Sequence, residues 1–175
     1  MLRSYIELLK PRLSATVIFS SLAGYLLATN HLDYNILCFL LLGGVFLVGA
    51  SNGLNQVYEV NIDKLMDRTK NRPLPTKRIS LNNAFIFSLF LGLLGVFFLS
   101  MINFRCAFFG ALSSLIYVVG YTPLKTSTPI SGFIGAFPGA MPFMLGWVAV
   151  TDLFSLETGI LFAIQFLWQF PHFWS

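Results

Sequence analysis

Six long apolar stretches dominate the sequence and restrict what it can fold into. A helix needs about 17–25 apolar residues to cross a bilayer, and segments of that kind can be drawn at Leu13–Ala28, Ile36–Leu54, Ala84–Ile102, Phe104–Gly120, Pro129–Val150 and Leu156–Trp174. Only 10% of the residues are charged, and the mean hydropathy is +0.75. We therefore predict an all-α, polytopic transmembrane helix bundle of about six spans, with residues 1–175 forming one domain.

The basic residues predict an orientation for this bundle. With six spans and a cytoplasmic N-terminus, ten of the eleven Lys and Arg residues face the cytoplasm and only Arg105 lies outside, as the positive-inside rule expects. The net charge of +4 is then explained by topology, and no nucleic-acid partner is expected. Residues 1–10 are too polar, and the first span too long, for a removable signal peptide. A multi-pass protein of a bacterial inner membrane is favoured over a mitochondrial one.

One polar region, residues 57–83, interrupts the apolar spans, and we predict that it is a cytoplasmic substrate-binding loop. Asn55, Glu59 and Asp63 stand at its start, four residues apart, so on a helix they share one face within an arc of about 80°. Asp67 falls roughly 40° further round. Carboxylate and amide oxygens are ligands that suit Mg²⁺, and we predict that Glu59 and Asp63 are metal ligands.

Basic residues follow the acidic ones directly. Arg68, Lys70 and Arg72 offer donors suited to phosphate oxygens. Carboxylates, then cations, beside an apolar bundle fit a site for a lipid diphosphate. Alternatively, these charges form surface ion pairs at i, i+4 spacing, worth a few tenths of a kcal/mol each, although ionisable groups at a membrane span favour a functional role.

Two later segments carry further signals. The segment "GYTPLKTSTPISG" from Gly120 to Gly132 breaks the helices with Pro123 and Pro129, and its Lys125 is either a phosphate contact or an ordinary positive-inside lysine. The Gly- and Pro-rich run "GAFPGAMPFMLGW" favours close helix packing, since small residues let backbones approach. Cys38 and Cys106 lie within apolar spans, so we expect no disulfide or cysteine metal site.

The segment from Asn55 to Pro75 resembles the UbiA-type intramembrane prenyltransferases. Their first acidic motif reads Asn-Asp-x-x-Asp-x-x-x-Asp, followed by a segment close to Arg-Thr-x-x-Arg-Pro-Leu. Here Asn55, Glu59 and Asp63 take the Asn, middle and last acidic positions, and "RTKNRPLP" follows. Gln56 stands where many members have Asp, and Glu59 replaces an Asp.

Within that family the sequence resembles the protohaem IX farnesyltransferase branch. The shared segments are "YTPLK", "GAFPGAMPFMLGWVAVT" and "PHFW". The resemblance implies transfer of a farnesyl group from farnesyl diphosphate to a vinyl group of haem B, giving haem O and diphosphate for terminal oxidases. It also implies nine helices and a second acidic motif after the sixth, so we expect this chain to be the N-terminal part of a larger protein and inactive alone.

The resemblance also implies roles for the candidate residues. Glu59 and Asp63 hold Mg²⁺ on the diphosphate and Asn55 supports them, while Arg68, Lys70, Arg72 and, in addition, Lys125 neutralise the phosphate charge. His172 is either a haem ligand or a histidine hydrogen-bonded within the bundle. A haem-modifying or oxidase-assembly protein is a possible partner.

Two alternatives remain open from the sequence. A prenyltransferase of the same family could act on a quinone precursor or a chlorophyll ring, although Gln56, Glu59 and His172 favour haem. A transporter would use carboxylates near the bilayer midplane and broken helices, whereas the acidic residues here cluster toward one membrane face.

Overall fold

The computed structural model describes residues 2–174, and the side chains of residues 2–171. All regular secondary structure in the described residues is helical, with no strand. Its elements, in chain order, are α1 (Leu2–Leu8), α2 (Pro11–Ala28), α3 (Tyr34–Asp63), α4 (Leu81–Ser100), α5 (Phe104–Leu115), a π-helical segment (Ile116–Tyr121), α6 (Thr122–Leu124), α7 (Ile130–Thr151) and α8 (Leu156–Trp174).

The predicted all-helical membrane bundle is confirmed. Four of the described segments are long and apolar enough to cross a membrane: α3, α4, the continuous stretch Phe104–Leu124, and α7. The first and last predicted spans also form helices, α2 with 18 residues and α8 with 19, which is within the length range of a span. Each predicted span therefore corresponds to a helical segment, and the count of six spans stays a prediction.

Side-chain caps start three of the helices. Asp33 accepts hydrogen bonds from two backbone N–H groups in the first turn of α3, and Ser80 and Asn103 each accept one in the first turns of α4 and α5. These are the residue types that satisfy the unpaired donors of a helix N-terminus. They explain why the connections between α2, α3, α4 and α5 end where they do.

Helix α3 is longer than predicted and shortens the polar loop. It has 30 residues, or about 45 Å at the rise of an α-helix, more than the roughly 30 Å of a hydrocarbon core. The irregular segment therefore spans residues 64–80, within the predicted loop of 57–83, and the substrate-binding role of that loop stays a prediction. The helix persists because its polar residues face the bundle, and it ends where the Thr69 hydroxyl donates to the Asp63 carbonyl at 3.0 Å.

The second predicted break is also shorter than expected. Helical structure continues past Pro123 to Leu124, and the break lies at residues 125–129 within the predicted segment of 120–132. A six-residue π-helical segment directly precedes this stretch, and the backbone N–H of Thr122 donates to the Tyr117 carbonyl oxygen at its end. Such π segments often occur at functional sites.

Close packing between α2 and α7 bears out the role predicted for the small residues of α7. A Cβ atom on Gly146 would lie 2.0 Å from the Ser21 carbonyl oxygen, and one on Gly24 would lie 2.0 Å from that of Phe143. Only glycine permits this approach, since real Cβ contacts of that length do not occur. Helix α7 remains continuous through Pro138 and Pro142.

Candidate active site

A cavity of about 840 Å³ opens at one end of the bundle. It lies among the start of α2, the end of α3, the 64–80 loop, the helical segments around residues 117–125 and the start of α7. Its polar and charged lining residues are Lys10, Asn55, Glu59, Asp63, Arg68, Thr69, Arg72, Tyr117, Tyr121, Lys125, Thr126 and Ser131.

The three predicted α3 residues face this cavity together. Asn55, Glu59 and Asp63 all line it, and they are exposed by only 1%, 4% and 2%. Their four-residue spacing places them on one helix face, as the sequence predicts. Burying two carboxylates is costly unless each has a partner.

An oxygen of each of these three side chains contacts a cationic side chain from elsewhere in the chain. Arg72 Nη1 lies 3.0 Å from Asp63 Oδ1 and 2.9 Å from Oδ2. Lys125 forms an ion pair with Glu59. The Lys10 ammonium donates to Asn55 Oδ1 at 3.0 Å.

The π-helical segment is tied to the same face of α3. Asn55 Nδ2 donates to Thr122 Oγ1 at 3.3 Å, and that hydroxyl donates to the Tyr117 carbonyl oxygen at 2.9 Å. This link orients Tyr117 and Tyr121 toward the cavity and carries Lys125 to Glu59. Asn55 therefore connects two walls of the site.

Lys10 is the charged residue of the site that sequence reasoning missed. It lies 45 positions from Asn55, so no local spacing brings the two together. Burial, followed by the charge of nearby Arg72, lowers the pKa of Lys10 to about 8. The only signal in the sequence is its place in "LKPR", directly before the first apolar stretch.

The basic residues of the loop divide into two groups. Arg68 and Arg72 line the cavity, and Arg68 has no ion-pair or hydrogen-bond partner among the described residues. Lys70 is not among the lining residues and pairs with Asp67 at 2.6 Å, where the Asp67 side chain is 97% exposed. The structure thus brings together all the predicted site residues except Lys70 and His172, whose side chain lies outside those described.

The charge balance of the cavity favours an anion. Four cations, Lys10, Arg68, Arg72 and Lys125, line it against two carboxylates. Such a surplus in a low-dielectric cleft attracts negative ligands. Arginine in particular suits phosphate oxygens.

The carboxylates fit magnesium as partial ligands. No group of three or more His, Cys, Asp or Glu side chains within the described part of the chain could hold a metal ion. Mg²⁺ typically takes one or two carboxylates and completes its octahedron with waters and substrate phosphates. Glu59 and Asp63, both hard oxygen ligands facing a cavity suited to phosphate, meet that requirement.

The family follows from the sequence match. The model of the UbiA prenyltransferase family matches residues 17–175. The chain belongs to this family. Among curated proteins, the protoheme IX farnesyltransferase of Christiangramia forsetii is 54% identical to it over 175 residues, which is 100% of this chain and 58% of that protein. The chain spans a little under three fifths of the length of the first curated relatives that it matches.

Solved structures share the UbiA fold. A structure of digeranylgeranylglyceryl phosphate synthase aligns with a TM-score of 0.86 and 26% identity, covering 96% of this chain and 59% of the other. A UbiA homologue from Archaeoglobus fulgidus bound to DMAPP and Mg²⁺ aligns with a TM-score of 0.77 and 18% identity, covering 97% and 62%. The second likeness shows the fold alone.

Proposed function

We propose that this chain contributes to a site that transfers a farnesyl group from farnesyl diphosphate to a vinyl group of haem B. The products are haem O, required by terminal oxidases, and diphosphate. One observation carries the proposal: two buried carboxylates face four cations in a cavity at the end of an apolar helix bundle. The protoheme IX farnesyltransferase name of a relative at 54% identity supports haem as the acceptor.

The cations bind and neutralise the diphosphate. The Arg68 side chain forms no ion pair or hydrogen bond with the described residues, so it can contact phosphate without breaking an existing ion pair. Arg72 and Lys125 hold the carboxylates and retain further donors for phosphate. The predicted contact from Lys70 requires the loop to release its pair with Asp67.

Glu59 and Asp63 would hold Mg²⁺, and Asn55 would fix their surroundings through its hydrogen bonds. Bound magnesium supplies charge stabilisation to a departing diphosphate. Ion pairs from Lys125 and Arg72 hold both carboxylates in place. Thr69 fixes the end of the helix that carries Asp63.

The chemistry then proceeds through charge separation. The C1–O bond of farnesyl diphosphate breaks, and its electron pair leaves with the diphosphate that the cations stabilise. The allylic cation is attacked by the vinyl π electrons, which forms the new C–C bond and leaves a cation on the acceptor. Water adds there and loses a proton, giving the hydroxyl group of haem O. The apolar bundle shelters the hydrocarbon chain and limits earlier capture by water.

Orientation follows from the same arrangement. The cavity lies at the bundle end that holds Lys10, the 64–80 loop and Lys125, whereas Arg105 lies at the opposite end. By the positive-inside rule, we propose that the site faces the cytoplasm. We also propose that the membrane is a bacterial inner membrane, as expected from the sequence.

The acceptor is tested with the complete encoded protein in membranes. Incubation with haem B, farnesyl diphosphate and Mg²⁺, followed by extraction and mass spectrometry, should yield haem O, and chelation of Mg²⁺ should stop its formation. Parallel incubations with a quinone precursor and a chlorophyll precursor should yield no prenylated product. Prenylation of either instead of haem would overturn the proposal. Residues 1–175 expressed alone should give no haem O.

A further inference from the structure

The turn between α1 and α2 is held by two buried amides of α3. Gln56 Nε2 donates to the Leu8 carbonyl oxygen at 2.7 Å, and Asn52 Nδ2 donates to the Leu9 carbonyl oxygen at 3.1 Å. Asn52 and Gln56 lie one helical turn apart and are 2% and 1% exposed. Two consecutive carbonyls of the turn are therefore fixed from outside the turn.

The next residue, Lys10, adopts a conformation that requires such support. Its φ of 49° and ψ of 65° lie in the left-handed region, which is strained for a residue with a Cβ atom. This backbone directs the ammonium group onto Asn55 Oδ1, at the wall of the cavity. Strained backbone persists where its surroundings over-determine it, and here α3 supplies those contacts.

The chemistry of the Gln56 contact explains why an amide stands there. Leu8 offers a carbonyl, which only accepts hydrogen bonds, so its partner must be a donor. A carboxylate at position 56 would place negative charge against that carbonyl in a buried site. Gln56 is not among the residues lining the cavity, so its amide serves the turn.

We propose that Gln56 and Asn52 are positioning residues that set Lys10 in the site, and that Lys10 is a further binding residue for the diphosphate. The inference rests on the proposed function and deepens it. Lys10 adds a cation from the N-terminal segment to the cavity lining. Gln56 and Asn52 act only through the turn that carries it.

Steady-state kinetics of the complete encoded protein test the link. Lys10→Met should raise the KM for farnesyl diphosphate about tenfold or more, as expected when a charge-assisted hydrogen bond is lost, with kcat changed less than KM. Gln56→Met should raise KM in the same sense, and the double variant should be no worse than Lys10→Met, since both changes remove one interaction. Lys10→Arg should restore most of the affinity.

Ser51→Ala is the matched control. Ser51 is a buried α3 residue whose hydroxyl bonds the Leu47 carbonyl and Ser114, without contact to the turn. The Ser51→Ala substitution should leave the KM for farnesyl diphosphate unchanged. An unchanged KM in Lys10→Met, or multiplicative effects in the double variant, would overturn the inference.

A second readout does not depend on turnover. Inorganic diphosphate with Mg²⁺ should protect Lys10 from an amine-acylating reagent, as located by peptide mass spectrometry, and Gln56→Glu should weaken that protection. Lys10 labelling that is equal with and without diphosphate in the wild-type protein contradicts the inference. Haem O formation by the wild-type protein distinguishes failure of the proposed function from failure of this inference. If no haem O forms, the proposed function is wrong. If haem O forms but Lys10 is not protected, only this inference is wrong.

Discussion

The helix pair α2 and α7 behaves differently at its two ends. Near Gly24 and Gly146 the backbones approach so closely that a single methyl group would collide with a carbonyl oxygen. At the other end, Leu13 and Gly132 line the cavity, and a Cβ atom on Gly132 would meet nothing within 4 Å. One pair of helices thus closes the bundle at one end and opens it at the other.

Ion pairs repeat this contrast. At the cavity end, Asp63 pairs with Arg72 while its side chain is only 3% exposed; at the opposite end, Asp152 pairs with Arg105 while 55% exposed. Exposed pairs contribute at most about 1 kcal/mol, whereas removing one partner of a buried pair costs roughly 3–5 kcal/mol. We therefore propose that function is concentrated at the cavity end of the bundle, where the charges are buried.

The largest expected effect is that of Asp63→Asn, measured against Asp152→Asn as the matched exchange at the opposite end. Asp63→Asn removes a charge at the proposed diphosphate site, and haem O formation should fall by at least about a hundredfold, the scale of lost electrostatic stabilisation in catalysis. Asp152→Asn should change the rate by less than about twofold, because its pair is exposed. Single-turnover assays in membranes measure both.

Haem B binding, followed by absorbance titration, is the control for folding. It should remain nearly intact in Asp63→Asn. Near-normal turnover in that variant would remove Asp63 from the metal site, and an equal loss in Asp152→Asn would erase the distinction between the two ends.

The helices were predictable because their signals are local. Each run of apolar residues coincides with a helical segment, and the four-residue spacing from Asn55 to Asp63 placed three side chains on one face. The loop bounds were less accurate, since the extension of α3 to Asp63 depends on burial against other helices. A polar sequence alone gives no information about that burial.

Long-range contacts explain what the sequence left out. Lys10 reaches the site because amides of α3 hold its turn, a relationship across more than forty residues that has no periodic signal. Lys70 belongs to the same basic run as Arg68 but pairs with the exposed Asp67. Which of the two basic residues lines the cavity depends on the path of the loop. The sequence therefore indicated which residue types form the site, whereas the contacts between them could be identified only from the folded structure.

An intermediate effect, on the stability of the fold, is expected when a methyl group is added at one end of α7 and compared with the same change at the other end. Gly146→Ala should destabilise the protein by about 1–3 kcal/mol, the usual cost of overpacking, because the neighbour of the new Cβ is backbone of Ser21. Gly132→Ala should be neutral or slightly stabilising, since alanine is the better helix former and space is available. Thermal unfolding in detergent measures the difference, and equal shifts would contradict the contrast in packing.

The smallest effect is a pH dependence from Lys10. Its pKa of about 8 reflects burial first, then repulsion from Arg72 and Lys125, partly offset by Glu59 and Asp63. Raising the pH from about 7 to 9 should remove this charge and raise the KM for farnesyl diphosphate by roughly threefold to tenfold, the scale of one charge-assisted contact. Lys10→Arg should remove this dependence of KM on pH. If the dependence is the same in Lys10→Arg as in the wild type, Lys10 does not contribute to diphosphate binding.

The same group should affect stability in the opposite direction. Because its folded pKa of about 8 lies below the ordinary value of 10.5, the unfolded chain binds more protons between these values, and Lys10 therefore makes folding more favourable as pH rises through that window. Below the folded pKa its buried charge opposes folding. Comparing unfolding of the wild-type protein with Lys10→Met across this window should show the wild type gaining stability relative to the variant. A cation that weakens the fold while it strengthens diphosphate binding belongs to the site rather than to the scaffold.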